Sequence, residues 1–251
     1  MIMTIYQRAL AVLMKKPIKL WGISLLATVL IPVLTFLCGV GIPGLGLAVS
    51  LLLSTSMLMV YLHGYRGEEV RVLHLFDCFR DWATIKRVVL GLSWMYLWIF
   101  LWALIPLVGP VFATIRAYEY RLTPYILITE PHVPLTEAIN ISKGRTNGYK
   151  FKMFGADILP YIIIFGVFFI FGLLSAIPVV GVLFTLIIAL GIIVVGALSP
   201  LFMGLVQAAF YEEITNPTID TSVGGAFCPN CGTPYASEKA QFCAVCGKPR
   251  F

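Results

Sequence analysis

The sequence predicts an all-α polytopic membrane protein. Six transmembrane helices are expected as three helical hairpins with interfacial amphipathic helices, followed by a small C-terminal zinc ribbon. Three observations carry this expectation. The chain is 59% hydrophobic and 12% charged, whereas soluble domains carry roughly 25% charged residues. The charges are segregated, so that residues 20–65, 88–115 and 158–211 contain no Asp, Glu, Lys or Arg. Each of these runs is broken by one short string, Ile-Pro-x-[Leu/Val]-Gly, at 42–46, 105–109 and 177–181.

A helix needs about 20 apolar residues to cross the hydrocarbon, so the first and third runs are long enough for two crossings each. The stretch after Lys19 is longer than the apolar core of a cleavable signal, and no Ala-x-Ala site follows it; it reads as a retained first span. Proline removes a helix hydrogen bond and glycine permits a tight turn, so each string is a hairpin between two spans. Three copies, with prolines 63 and 72 residues apart, indicate an internal repeat covering about 1–66, 67–131 and 132–214. The expected spans are roughly 19–39, 46–64, 87–104, 110–129, 153–176 and 182–210.

A polar, amphipathic stretch leads each hairpin. In 5–16, Ile5, Ala9 and Leu13 share a face with Tyr6 and Leu10; in 75–87, Phe76, Phe79 and Ala83 do so with Leu75 and Trp82. The third, 134–148, has Thr136 as a candidate cap and Gly148 as its end. Such helices are expected to lie in the interface plane.

The three hairpin strings carry no charge, whereas Lys and Arg cluster before span 1, between spans 2 and 3 and between spans 4 and 5. The positive-inside rule makes that face cytoplasmic. Six crossings then put both termini in the cytoplasm of a multi-pass cell-membrane protein. The net charge of +6 is explained by these flanks, and no nucleic-acid partner is expected.

The last 24 residues hold Cys228, Cys231, Cys243 and Cys246 as Cys-x2-Cys-x11-Cys-x2-Cys. Each pair can present two thiolates about 2.3 Å from one metal, and two pairs complete a tetrahedron. So short a segment has little core, so the metal would supply much of its folding energy. Disulfides fit poorly with a reducing cytoplasm, and a redox Cys-x-x-Cys usually sits alone on a βαβ unit. One structural Zn per chain is the expectation; iron would suit the same donors. A closed four-thiolate set leaves no position for a reacting water. Residues 215–226 read as a flexible linker and 227–251 as the zinc ribbon, similar to modules at the ends of many prokaryotic membrane proteins. Cys38 and Cys78 have no metal-spaced partner and read as small apolar fillers.

The middle hairpin is the odd one. At the seventh, tenth and twelfth positions after its glycine it carries Arg116, Glu119 and Arg121; the first copy has Leu53, Ser56 and Leu58, and the third Ile188, Gly191 and Ile193. Arg116 and Glu119 are three apart and can pair on one helix face, with Tyr120 nearby. They form the candidate intramembrane polar site, read either as neutralised glue or as a ligand pathway. Arg121 is expected to snorkel to the cytoplasmic surface, and Asp157 to face headgroup water. Pro124 and Pro200 are expected kinks. Ser50/Ser54 and Gly204/Ala208 are small-residue pairs suited to close helix packing. His63, His74 and His132 show no ligand spacing.

Residues 116–154 resemble a family of prokaryotic integral membrane proteins catalogued as domain of unknown function 975. The shared residues are Tyr118, Pro124-Tyr125-Ile126-Leu127, Glu137-Ala138-Ile139, Ser142-Lys143 and Gly148, and the closing stretch 208–214 also fits. The organisation of 1–214 also looks like the membrane part attached to some glycerophosphodiester phosphodiesterases. The resemblance implies a multi-span membrane location and carries over no catalytic residues. Hydrolase, metalloprotease and nucleotide-binding motifs are missing from the chain. The expected function is therefore non-enzymatic: organising or regulating membrane partners, with the ribbon as a cytosolic docking module for a cytosolic or membrane protein. The alternative is a transporter or lipid-handling protein using Arg116 and Glu119.

Overall fold

The computed structural model describes residues 2–15, 17–177 and 181–216. The four-cysteine tail, most of the linker and hairpin positions 178–180 lie outside the described residues. Among the described residues every regular element is helical. In chain order these are α1 (Ile2–Lys15), α2 (Pro17–Gly41), α3 (Pro43–Arg66), a 3-10 helix (Val72–Phe79), α4 (Trp82–Ala103), α5 (Gly109–Glu119), α6 (Thr123–Thr129), α7 (Leu135–Arg145), α8 (Lys150–Leu174) and α9 (Gly181–Thr215). Five helices, α2, α3, α4, α8 and α9, are long and apolar enough to cross a membrane. Large apolar side chains on α2, α4, α8 and α9 face outward, such as Phe36, Phe100, Phe165 and Ile193, as expected where lipid is the solvent.

Helix α3 is the centre of the bundle and packs against α2, α4, α6, α9 and the 3-10 helix. Its Leu53, Val60 and Leu62 are fully buried. Tyr61 lies against Gly204 of α9, where any side chain larger than hydrogen would meet the ring, and its hydroxyl shares a 3.0 Å hydrogen bond with Ser24 of α2. Ser54, by contrast, is exposed; the close approach of α2 and α3 is made by Gly39 and Gly46 instead.

Both helices of each expected hairpin touch: α2 with α3, α4 with α5, α8 with α9. The glycine closing each string has one physical role. A Cβ on Gly46 would sit 2.7 Å from the Thr35 carbonyl oxygen, one on Gly109 2.7 Å from that of Ala103, and one on Gly181 closer still to that of Ser175. Leu107, in the second string, has a left-handed backbone (φ 66°) and is 97% exposed.

Two expected elements are corrected. Residues 75–87 do not form one amphipathic helix. A 3-10 helix ends at Phe79, the Asp81 carboxylate accepts from the Thr84 N–H at 2.7 Å, and α4 begins. Asp81 is thus an N-cap. The 3-10 helix buries Leu75 and Cys78 against α3, and the Cys78 N–H donates to Ser56 Oγ. Residues 110–129 are not one continuous helix either. They are split into α5 and α6 by a turn at 120–122. Pro124 explains the split, because it has no N–H to give the Tyr120 carbonyl. That carbonyl accepts from Thr123 instead, at 3.0 Å. Pro124 thus breaks this segment and does not merely kink it, whereas Pro200 lies inside a continuous α9.

Candidate functional site

The break between α5 and α6 leaves backbone groups that a continuous helix would pair internally. Helix α7 supplies the partners. Ser142 Oγ donates to the Glu119 carbonyl at 2.8 Å and accepts from the Leu122 N–H at 3.1 Å. Thr146 Oγ1 donates to the same carbonyl at 3.1 Å. Ser142 and Thr146 are completely buried. They reach the break because α7 packs on α4, α5 and α6 and buries Ala138, Ile139 and Ser142. Its N-cap is Pro134, with no side-chain bond, so Thr136 is not the cap. Gly148 has φ 80°, which turns the chain into α8.

The other end of α6 is held from α4. The Arg87 guanidinium donates to the Leu127 and Glu130 carbonyls, both at 2.8 Å. Arg145 of α7 pairs with the Glu130 side chain at 2.6 Å. With Gly109 against Ala103 and Leu127 bonded to Arg87, α5 and α6 together run beside α4 for most of its length.

Charges cluster around the break. Arg116 pairs with Glu119 at 2.5 Å, and Lys150 at the start of α8 pairs with the other Glu119 oxygen at 2.7 Å. Glu119 is 5% exposed. The Arg116 guanidinium also lies over the Trp102 ring, 5.0 Å from its centre. Arg121 neither snorkels nor stands free: it forms a two-pronged pair with Asp157 of α8, and the Tyr118 hydroxyl donates to Asp157 at 2.8 Å. Asp157 is correspondingly corrected from a water-facing side chain to a partly buried partner. Bidentate Arg–carboxylate geometry is the strong form of such a bond.

Of the three side chains singled out from the sequence, Arg116 and Glu119 are brought together. Tyr120 caps α5 and packs on the apolar core. The sequence reading missed Lys150, Tyr118, Ser142, Thr146 and Arg87. One signal was available for Asp157. The middle hairpin has two arginines and one glutamate, so one cation needs an acid from elsewhere, and Asp157 directly precedes the charge-free run 158–211.

Among the described residues no group of three or more His, Cys, Asp or Glu side chains is placed to hold a metal. Cys228, Cys231, Cys243 and Cys246 lie outside those residues. Cys38 and Cys78 are free thiols. The His63 and His74 rings lie 5.6 Å apart, tilted at 55° to each other.

The arrangement ties α5 and the turn after it to α8 by fixed charges. Each of its two carboxylates has two donors, and one donor or more comes from a different helix. Comparison with family models, with curated proteins and with solved structures finds no match to this chain.

Proposed function

We propose that this is a non-enzymatic integral membrane protein that organises or regulates partners through its four-cysteine tail. The observation that supports this reading is the closure of the charged cluster. Glu119 is held by Arg116 and Lys150, and Asp157 by Arg121 and Tyr118. Side chains with fixed partners brace helices, and ionisable groups inside a membrane are kept by such pairing. In this reading α5 and α6 make a sixth, broken crossing, and both termini are cytoplasmic. The tail carries a closed zinc site on Cys228, Cys231, Cys243 and Cys246, presenting a folded knob to a cytosolic or membrane protein. The residues that resemble domain of unknown function 975 include Tyr118, which bonds Asp157, and Ser142, which serves the backbone at the α5–α6 break, so the resemblance and the brace fall on the same segment. The test is a chain ended after Thr215. It should insert and keep its melting midpoint, yet fail to complement a deletion strain; a fully active tail-less chain would refute the reading.

A second reading, a transporter or lipid-handling protein, is favoured by two cavities of about 360 and 430 Å³ that share Leu58 and Gln207. One is lined by Arg121 and by Pro124, where α5 and α6 are broken apart, and the other by Ser24 and Tyr61 beside Pro32 and Pro200. A broken helix beside a cavity that reaches charge is a feature of transporters.

A further inference from the structure

We propose that the groove between α5 and α8 seats one anionic phospholipid, with its phosphate against Lys150 and an acyl chain along the groove. This inference is independent of the tail and of what the tail binds.

The groove has a volume of about 720 Å³. Its walls are apolar: Pro110, Val111 and Ile115 on α5, Phe151 and Phe154 on α8. These walls face outward, with Phe151 90% and Val111 61% exposed. A groove of this kind on a membrane helix pair opens to lipid, so its natural occupant is an acyl chain.

Charge selects the headgroup. Two cations, Arg116 and Lys150, share one carboxylate, Glu119. Among the described residues neither cation pairs with a second acid, so the trio carries one net positive charge. Lys150 lines the groove and its side chain is 28% exposed. An ammonium has three donors, and one is spent on Glu119 at 2.7 Å. The remaining donors are available to an anion at the mouth of the groove. A phosphodiester with net charge −1 neutralises the trio, whereas a zwitterionic headgroup brings its own cation to the same place. Lys143 and Arg145 in the last turn of α7 and Lys150 and Lys152 in the first turn of α8 make this end the cytoplasmic side, and that leaflet is the anionic one.

The test is native mass spectrometry of the full chain released from detergent containing equal dioleoyl phosphatidylglycerol and dioleoyl phosphatidylcholine, with melting midpoints alongside. Wild type should retain one phosphatidylglycerol per chain in preference to phosphatidylcholine, and added phosphatidylglycerol should raise its midpoint. Lys150→Gln leaves Arg116 paired with Glu119, so the fold should hold while retention falls about fivefold, the factor for one basic residue at an anionic surface. Lys150→Arg should restore retention, and Ile115→Trp should block it by filling the groove. Equal retention of both lipids, undiminished retention in Lys150→Gln and Ile115→Trp, or displacement of the lipid by millimolar inorganic phosphate would each overturn the proposal.

Discussion

The Ser142 hydroxyl donates to the Glu119 backbone carbonyl at 2.8 Å across a chain separation of 23 residues. It also takes the Leu122 N–H, so one small side chain closes both lips of the α5–α6 break. A buried backbone group without a partner costs about 1–3 kcal/mol. Ser142→Ala should therefore lower stability by about that amount in a detergent unfolding titration. Thr146→Val should cost less, because Ser142 still serves the Glu119 carbonyl. Equal, negligible losses would show that α7 does not support the break.

The Glu119 carboxylate is shared, and the sharing ranks the variants. Glu119→Gln strands two cations and should be the most damaging, near the ~3–5 kcal/mol typical of breaking a buried pair. Lys150→Gln leaves a matched Arg116–Glu119 pair and should cost clearly less, the more so because Lys150 is partly exposed. A larger loss in Lys150→Gln than in Glu119→Gln would contradict the assignment of Glu119 as the common partner.

Leu107 occupies a left-handed backbone that costs a Cβ-bearing residue about 1–2 kcal/mol. Its side chain is 97% exposed, so little packing is lost on truncation. Leu107→Gly should raise the melting midpoint. An unchanged or lower midpoint would mean that the side chain is anchored in lipid strongly enough to offset the strain.

The start of α4 should depend on pH. Asp81 accepts from the Thr84 hydroxyl and N–H, and these bonds hold its carboxyl below the usual carboxylate range. A carboxylate lowered on folding contributes fully above its ordinary value of about 3.9. The contribution is lost as pH falls from there through the lowered folded value. Protection factors at residues 82–86, which divide out the intrinsic pH dependence of exchange, should therefore fall below about pH 4 in the wild type and be flat across that window in Asp81→Asn. The same fall in Asp81→Asn would assign the effect elsewhere.

The tail should bind one metal per chain through Cys228, Cys231, Cys243 and Cys246. Replacing Cys228 and Cys243 by Ser should abolish binding, read by elemental analysis, while the apolar helices still insert. Undiminished metal in the double variant would rule out the four-thiolate site.

Much of this organisation could be read from composition and punctuation. Charge-free runs mark the long helices, and the Ile-Pro-x-x-Gly strings mark the hairpins because each closing glycine abuts the backbone of the preceding helix. Spacing three apart brought Arg116 and Glu119 onto one face. The long-range partners were not legible, since nothing local links Asp157 to Arg121 or Ser142 to Glu119. The break was misread for a different reason. The apolar character of 110–129 outweighed one signal, a proline at 124 that cannot serve the carbonyl at 120.

The central claim is that the buried charges brace the helices and carry no cargo. Arg116→Leu combined with Glu119→Gln tests it most directly, because the double variant keeps Lys150 and the net charge of the trio. Its melting midpoint and its complementation of a deletion strain are measured together with Glu119→Gln alone. The account predicts that the double variant recovers most of the stability lost in Glu119→Gln and complements fully. A double variant as stable as wild type that does not complement would contradict it.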